Sequence, residues 1–150
     1  MPALRLRVRR VRKSAAPLPL PRYQSEHAAG MDLAADIDEP VTLAPLERRA
    51  IPTGLSVEIP PGYEGQVRPR SGLALKHGIG CLNAPGTIDA DYRGEIQVLL
   101  VNLSNSPFSL KRGDRVAQFV VTSVARAEWL EVEALEETSR GGGGFGSTGV

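Results

Sequence analysis

The spacing of proline is the feature of this sequence that most restricts its fold. Twelve prolines are spread through 150 residues. A proline inside a helix removes a backbone hydrogen bond and clashes with the preceding turn. The segments between the prolines are too short for long helices. The sequence therefore favours a fold made of short β-strands.

Segments rich in β-branched residues lie between these breaks, and many alternate apolar with polar side chains. The predicted strands are residues 41–43, 55–59, 64–68, 95–101, 115–121 and 128–132. One short helix is predicted over residues 71–76, between Pro69 and Gly78. Short strands at regular intervals are typical of a sandwich or a barrel. We therefore predict one all-β domain with a single short helix.

The N-terminus allows two interpretations. Its first 13 residues hold six basic side chains and no acidic one, which is typical of a transit peptide. Residues 4–9, however, alternate with period two, which favours a strand with its arginines on the solvated face. Over the whole chain, 18 basic and 17 acidic residues give no general attraction to nucleic acid. No apolar run approaches the ~20 residues that span a bilayer. We expect a strand, and neither a nucleic-acid partner nor a membrane partner.

The few cysteine and histidine residues limit the chemistry. Cys81 is the only cysteine, so an intrachain disulfide is excluded and a reducing, cytoplasmic location is expected. His27 and His77 with one cysteine do not make a zinc site. Cys81 is expected in the core, and Trp129 in the core or at a subunit interface.

Two polar segments differ from the scaffold. Residues 89–94 form a polar loop between apolar strands, which by itself is compatible with a plain hairpin tip. Residues 140–149 hold six of the 16 glycines, together with Arg140 and Phe145. Such a tail is either a flexible end or an arm that closes over a ligand, since glycine permits close backbone approach.

Five segments, in order, resemble the five motifs of the trimeric dUTP pyrophosphatase (dUTPase) family. They are AAGMDLAAD at 28–36, PRSGLALKHGI at 69–79, NAPGTIDADYRGEIQ at 83–97, RGDRVAQFV at 112–120 and SRGGGGFGSTG at 139–149. The resemblance implies a jelly-roll-like β-barrel or sandwich over residues 1–138 and a glycine-rich arm over residues 139–150. It also implies a homotrimer in which the arm closes a neighbouring subunit's active site.

The reaction implied by the resemblance is hydrolysis of dUTP to dUMP and pyrophosphate. Asp89 would be the general base for the water that attacks the α-phosphorus, because an aspartate carboxylate is ionised at neutral pH. Gln118 would contact the α-phosphate or orient that water. Asp91 shares a face with Asp89 in an extended segment, so only the family match assigns the base to Asp89.

The resemblance also assigns substrate contacts. Tyr92 would pack on the deoxyribose and exclude a 2′-hydroxyl. Uracil would be bound between the arms of a hairpin over residues 86–97. The implied contacts to the base are Asn83, Thr87, Ile88 and Gln97. Phosphates would be held by Arg70, Ser71 and Gly72 at the start of the short helix.

Mg²⁺ is the implied cofactor, and Asp32 would contact it through water, as this ion usually depends on substrate phosphates and few carboxylates. The arm would place Phe145 over the uracil ring. Its remaining implied contacts, mainly to the β- and γ-phosphates, are Arg140, Gly146, Ser147 and Thr148.

Two other functions are compatible with this fold. A dCTP deaminase, or a bifunctional enzyme, shares the fold but needs an acidic residue against the pyrimidine edge. A catalytically silent nucleotide-binding regulator should have lost one of Asp89, Arg70, Gln118 or the tail, and all are present. The residues therefore favour the pyrophosphatase.

Overall fold

The computed structural model describes residues 4–149, which form short strands and one seven-residue helix. In chain order the elements are β1 (Arg7–Arg10), β2 (Met31–Ala34), β3 (Val41–Leu43), β4 (Arg48–Pro52), β5 (Leu55–Glu58), β6 (Tyr63–Arg68), α1 (Ser71–His77), β7 (Ile79–Cys81), β8 (Gly86–Ile88), β9 (Gln97–Asn102), β10 (Phe108–Leu110) and β11 (Arg115–Ser123). The prediction of an all-β fold with one short helix is confirmed. Residues 1–3 and Val150, parts of the predicted domain and arm, lie outside the described residues.

Two sheets carry the fold. A four-stranded sheet has the order β2-β11-β6-β8, and a three-stranded sheet has the order β4-β9-β7. Two further antiparallel pairs join β1 to β5 and β3 to β10. Most paired strands are distant in sequence, so the register is set by which faces are buried and not by tight turns.

The core is one cluster of aliphatic side chains contributed by both sheets. In β9, Val98 and Leu100 are fully buried whereas Gln97 and Leu99 are exposed, as the two-residue period of a strand requires. The other large, fully buried apolar side chains are Leu33, Leu43, Ile51, Ile59, Ile79, Ile96, Leu110 and Val116. This core fixes the strands, and the loops and strand ends around it carry the polar candidate residues.

Asn102, at the end of β9, is a fully buried polar residue. Its Nδ2 donates to Leu43 O at 3.0 Å and to Ser106 O at 2.8 Å. Its Oδ1 accepts from the backbone N–H of Ser104 at 3.0 Å and from the Ser104 hydroxyl at 2.8 Å. A buried amide is tolerated when its groups are hydrogen-bonded in this way. Asn102 therefore ties β9 to β3 and to the following loop.

Five of the predicted strands are confirmed, with boundaries displaced by up to two residues, and the predicted helix is confirmed as α1. Helix α1 ends at Gly78, which has φ 64° and whose N–H contacts the carbonyls of Leu73 and Ala74. It is too short and too polar to cross a membrane, and it is the single helix within residues 4–149.

The strand predicted over residues 128–132 is wrong. Of the two places expected for Trp129, the core is wrong, and the subunit interface stays a prediction. These residues form no ladder, and the Trp129 side chain is completely exposed. The apolar and polar alternation there is real, but a strand also needs a partner edge. Within residues 4–149 this segment pairs with no strand.

The N-terminal strand is confirmed in part. Residues 7–10 pair with β5, and the arginines of β1 are exposed as predicted, whereas residues 4–6 lie outside the ladder. Val8 remains 41% exposed, so the expected apolar face of the strand is poorly covered by the chain itself. The incorporation of this segment in a sheet opposes the transit-peptide interpretation.

Candidate functional site

Two arginines and one aspartate meet where β2, β11 and the start of α1 adjoin, and we call this group the Asp32 cluster. The Asp32 side chain is only 11% exposed; its Oδ1 lies 3.2 Å from Arg70 Nε and its Oδ2 lies 3.1 Å from Arg115 Nη1. Arg70 Nη1 also donates to the carbonyl of Arg115 at 3.1 Å. Two guanidinium groups against one carboxylate leave an excess of positive charge, which suits an anionic ligand.

The register of the four-stranded sheet places Gln118 beside this cluster. Gln118 pairs directly with Asp32 across β11 and β2, so their side chains share one face of the sheet. A register shift lies between Arg115 and Ala117, and such bulges redirect side chains locally. Gln118 is exposed, with its side chain near Gly30. The predicted residues Asp32, Arg70 and Gln118 are thus brought together.

Ser71 and Gly72 open helix α1 next to the same cluster. Arg70 is the cap residue, with extended backbone angles (φ −90°, ψ 129°) and no side-chain capping bond. The first N–H groups of a helix have no partner inside it. A side-chain carbon built on Gly72 would meet no atom within 4 Å. The backbone of these two residues is therefore open to a ligand, as the prediction requires.

The Asp32 cluster limits how a metal could be bound. Each Asp32 oxygen already faces one arginine, although a carboxylate oxygen accepts about two hydrogen bonds. Residues 4–149 contain no group of three His, Cys, Asp or Glu side chains placed to hold an ion. The residues fit an Mg²⁺ that arrives with a triphosphate and meets Asp32 through water, and they do not fit a resident, protein-held ion.

The two strands around the predicted uracil site belong to different sheets. β8 is an edge strand beside β6, whereas β9 lies between β4 and β7. The expected hairpin over residues 86–97 is therefore wrong as a paired hairpin, because β8 pairs with β6 whereas β9 pairs with β4 and β7. Their separation leaves the outer edge of β8 without a ladder partner in the described chain. A flat ring with donors and acceptors can pair with such an edge.

The four side chains predicted to contact the base are placed as follows. Thr87, Gln97 and Asn83 are exposed, and Ile88 is buried. The Asn83 amide nitrogen would lie 3.2 Å from a side-chain carbon built on Gly86, so the amide is packed directly against that glycine. Asn83 therefore lies beside β8, which carries Thr87 and Ile88, whereas Gln97 begins β9.

The loop after β8 carries Asp89 and Tyr92. Tyr92 N–H donates to Asp89 O at 3.1 Å, and the Tyr92 hydroxyl donates to Glu95 O at 3.0 Å. A side-chain carbon at Gly94 would lie 2.5 Å from Tyr92 Cζ, so the hydroxyl end of the ring lies directly against that glycine. The loop therefore fixes the ring against its own backbone.

Asp89 and Asp91 are both exposed, and both line a cavity of about 970 Å³. Arginines 5, 7, 93 and 126 line the same cavity. Neither burial nor position distinguishes the two aspartates as candidates for the general base, so the choice still depends on the motif.

Sheet geometry separates the loop of Asp89 from Gln118 within one chain. In β6, Arg68 pairs with Gln118 and Gly65 pairs with Ile88. At about 3.3 Å per residue and 4.8 Å per strand, the Cα atoms of Ile88 and Gln118 lie about 14 Å apart. Sheet side chains project roughly perpendicular to the sheet. Asp89 and Gln118 of one chain therefore do not converge on one phosphorus atom.

The C-terminal segment departs from the rest of the molecule. Val124 N–H donates to Gly62 O at 2.9 Å, which is the last such bond to the body among the described residues. Beyond it, Arg140 Nε donates to Gly143 O at 2.8 Å within the segment, and Phe145 is fully exposed. The other predicted arm residues, Gly146, Ser147 and Thr148, are exposed too. The chain does not bring its arm to the remaining site residues.

Sequence reasoning missed Arg115 and Gly94. Arg115 lies inside the quoted segment at 112–120, but its partner Asp32 is 83 residues away. Gly94 follows Tyr92 closely, but only the packed ring shows why a side chain is excluded there. The sequence shows both residues, but only the tertiary structure shows the contacts that make them important.

Cys81 and His77 have structural surroundings. Burial raises the pKa of the Cys81 thiol to about 11, so the prediction of a core cysteine is confirmed. The His77 ring lies 5.2 Å from the Phe108 ring, centroid to centroid. Both residues serve packing.

Solved structures share this architecture. The dUTPase of Staphylococcus bacteriophage 80alpha with bound dUpNHpp superposes with a TM-score of 0.84 at 27% identity, covering 97% of this chain and 99% of that one. A mutant dUTPase from phage phi11 of S. aureus, whose structure concerns the coordination of a structural Mg(II) ion, gives a TM-score of 0.75 at 25% identity, with 89% and 99% covered. The fold therefore defines an all-β protein of the dUTPase class.

Sequence comparisons lead to the same class. The family described as dUTPase matches residues 16–149. A deoxyuridine 5′-triphosphate nucleotidohydrolase from Anaeromyxobacter sp. (strain Fw109-5) is 63% identical over 144 residues, covering 96% of this chain and 97% of that protein. The chain belongs to the dUTPase family.

Proposed function

We propose that this protein hydrolyses dUTP to dUMP and pyrophosphate. The observation that carries the proposal is the 63% identity, over nearly the whole chain, to a deoxyuridine 5′-triphosphate nucleotidohydrolase. The bound dUpNHpp in the phage 80alpha enzyme is consistent with the same ligand class. The enzyme limits uracil incorporation into DNA and supplies dUMP for thymidylate synthesis.

Uracil binds beside β8, between that strand and the start of β9. The outer edge of β8, at Thr87 and Ile88, exchanges backbone hydrogen bonds with the ring, and Gln97 and the Asn83 amide complete the contacts. Tyr92 packs on the deoxyribose, and the hydrogen bond to Glu95 O keeps its ring in that place. A 2′-hydroxyl would collide with the ring, so UTP is rejected by steric exclusion.

The reaction is an attack of water on the α-phosphorus, in line with the departing pyrophosphate. Asp89 accepts the proton of the water, a form of assistance typically worth about 10²–10⁴-fold. Gln118 orients the α-phosphate. Arg70 binds the phosphates with the backbone N–H groups of Ser71 and Gly72. Asp32 would hold Mg²⁺ through water, and the ion would supply positive charge against the triphosphate.

The active protein is a homotrimer with shared sites. The separation of about 14 Å between Ile88 and Gln118 supports sharing, because groups from two chains are then needed at one phosphorus. Exposed apolar side chains support it as well: Trp129, Leu130 and Leu135 are each at least 85% exposed in the isolated chain, and such surface favours association. The body over residues 1–138 provides the sites, and the arm over residues 139–150 closes a neighbour's site.

In that closed state the arm completes the ligand contacts. Phe145 stacks on uracil, and Arg140, Gly146, Ser147 and Thr148 contact the triphosphate and help exclude water. The location is cytoplasmic, with neither nucleic acid nor membrane as a partner. The single buried free thiol is consistent with a reducing compartment.

A nucleotide panel tests the reaction. Purified protein is incubated with Mg²⁺ and dUTP, dCTP, UTP or dTTP, and nucleoside monophosphate and pyrophosphate are both measured. We expect pyrophosphate from dUTP alone. Consumption of dCTP with release of ammonia would instead support a deaminase, and no turnover would support a silent nucleotide-binding regulator.

A matched pair of variants tests the base. Asp89→Asn should lower kcat by about 10²–10⁴-fold, whereas Asp91→Asn, at the other exposed aspartate of the loop, should keep most of it. The reverse pattern would move the base to Asp91.

Mixed assemblies test the sharing of sites. Asp89→Asn and Gln118→Ala chains, each expected to have low activity alone, are unfolded, mixed in equal amounts and refolded together. If one site takes Asp89 and Gln118 from different chains, about a quarter of the sites become intact. Activity no greater than the two separate proteins would contradict shared sites.

A further inference from the structure

We propose that Arg115 is a phosphate-binding residue of this site, and that Asp32 is the positioning residue that holds Arg115 and Arg70 side by side. The inference rests on the proposed function, because it assumes a nucleoside triphosphate as the ligand. It assigns Asp32 a role that is independent of metal, and it adds a cation that the sequence did not suggest.

The geometry of the Asp32 cluster divides one carboxylate between two guanidinium groups. Oδ1 faces Arg70 and Oδ2 faces Arg115, at 3.2 and 3.1 Å. Two adjacent cations repel each other unless a counter-charge lies between them. With its side chain only 11% exposed, Asp32 is poorly screened by water and therefore keeps both cations close to one spot.

Arg115 retains free donors, and this distinguishes a ligand-binding arginine from a structural one. Its side chain is 56% exposed, and the described hydrogen bonds use only Nη1. A guanidinium has five N–H donors in a planar fork that matches phosphate oxygens. Most of the Arg115 fork is thus open to solvent on the face where the cluster is exposed.

Arg112 provides the contrast within the same segment. Its Nε binds Asp36 at 2.8 Å and its Nη2 binds the carbonyl of Ala16 at 3.1 Å, and its side chain is 32% exposed. Arg112 therefore fastens the N-terminal segment to the body. Arg115 makes no such second bond in the described chain.

The position of Arg115 in β11 also fits a ligand role. It lies three residues before Gln118, and the register shift between them redirects the strand. Gln118 is the exposed neighbour of Asp32. A phosphate chain that reaches both Arg70 and Gln118 therefore passes the open fork of Arg115.

Binding of dUpNHpp, measured by calorimetry on the full-length protein, tests Arg115 without turnover. Arg115→Gln should weaken binding by about tenfold or more, the usual loss for a hydrogen bond to a charged group. Binding of deoxyuridine, which has no phosphate, should be unchanged. The matched control is Arg49→Gln, because Arg49 is also ion-paired and 49% exposed but lies on β4. Equal affinity of the Arg115→Gln and wild-type proteins for dUpNHpp would overturn the assignment.

Whether Asp32→Asn strengthens or weakens the binding of dUpNHpp tests the positioning role of Asp32. Removal of a negative charge should by itself tighten the binding of an anion. A role limited to metal should leave binding in EDTA unchanged. If Asp32 positions the two arginines, Asp32→Asn weakens dUpNHpp binding about tenfold even in EDTA. In the double variant, Asp32→Asn should then add little to the loss of affinity caused by Arg115→Gln, because the effects of coupled residues are not additive.

The outcomes separate this inference from the proposed function. Wild-type protein that fails to bind dUpNHpp would overturn both. Wild-type binding together with unchanged or tighter binding by Asp32→Asn in EDTA would overturn the positioning role alone. If Asp32→Asn does not fold, Arg115→Gln, which alters a half-exposed side chain, still tests the assignment of Arg115.

Discussion

The Asp32 cluster and the C-terminal arm both carry phosphate-binding residue types, but they are built in opposite ways. Asp32 is 11% exposed and engages two arginines from different elements. In the arm, Arg140 bonds only to nearby Gly143 O, and Phe145 is fully exposed. The cluster is fixed by the sheet before any ligand arrives, whereas the arm makes no hydrogen bond to residues 4–137 of the body.

This difference assigns the two regions different energetic roles. A preformed cluster loses little freedom on binding, so its contacts contribute directly to affinity. An unpacked arm must be ordered when it closes, which lowers affinity but couples closure to the correct ligand. The body should therefore determine stability, and the arm should affect activity almost exclusively.

Removal of the arm is expected to have the largest effect. A chain ending at Thr138 should lose about 10²–10³-fold in kcat/KM for dUTP, as in the loss of a transition-state contact. Its melting temperature should stay within about a degree, because surface segments contribute little. Steady-state kinetics and thermal unfolding measure the two quantities. A lower melting temperature would show that the arm belongs to the fold, contrary to the comparison.

Asn102, the buried polar residue of the body, should show the opposite behaviour, because its replacement should lower stability. Asn102→Ala leaves several buried groups without partners, at about 1–3 kcal/mol each, so the free energy of unfolding should fall by about 2–4 kcal/mol. Urea unfolding at a fixed protein concentration measures it, because the stability of the proposed trimer would depend on concentration. The control is Asn105→Ala, at an exposed neighbour with no recorded side-chain bond. Equal midpoints for the two variants would contradict the role of Asn102.

A substitution at Gly94 should have a smaller effect, and it tests whether the fixed position of the Tyr92 ring sets specificity. A side-chain carbon there would lie 2.5 Å from Tyr92 Cζ, so Gly94→Ala should displace the ring. We expect kcat/KM for UTP relative to dUTP to rise about tenfold, the scale of small steric changes in a pocket. The matched control is Gly80→Ala, where an added carbon meets no atom within 4 Å. An unchanged UTP to dUTP ratio would show that Tyr92 does not set this specificity.

Thiol reactivity should give the mildest difference between body and arm. The pKa of the Cys81 thiol is raised by burial from 9.0 to about 11, so at pH 8 a thiol reagent should react slowly until the protein unfolds. In a Cys81→Ala background, Ser139→Cys should react at once in the folded state. Equal rates at both positions would show that the body opens as freely as the arm.

The raised pKa of the Cys81 thiol also determines how the stability of the folded protein changes at alkaline pH. The folded state keeps the Cys81 proton more tightly than the unfolded state, so this contribution to stability is complete below about pH 9 and is lost as the pH rises through about 11. Alkaline unfolding should therefore shift to higher pH when Cys81 is replaced by alanine.

Local patterns predicted most of the fold. The strands at 41–43 and 64–68 and the helix between Pro69 and Gly78 follow from residue type, period and breakers acting over a few residues. The same rules failed at residues 128–132, where alternation is present but the segment pairs with no strand of the described chain. They also failed for the pairing of residues 86–97, because β8 and β9 find partners in different sheets.

The sequence by itself determined the all-β architecture, the family and the set of candidate residues, because these depend on residue types and their order along the chain. Only the tertiary structure decided that Asp32 is divided between Arg70 and Arg115, that Gly94 supports Tyr92, and that Gln118 and the loop of Asp89 are separated in one chain. These facts depend on register and burial between segments far apart in sequence. Such contacts leave no local periodic signal, so only the folded chain reveals them.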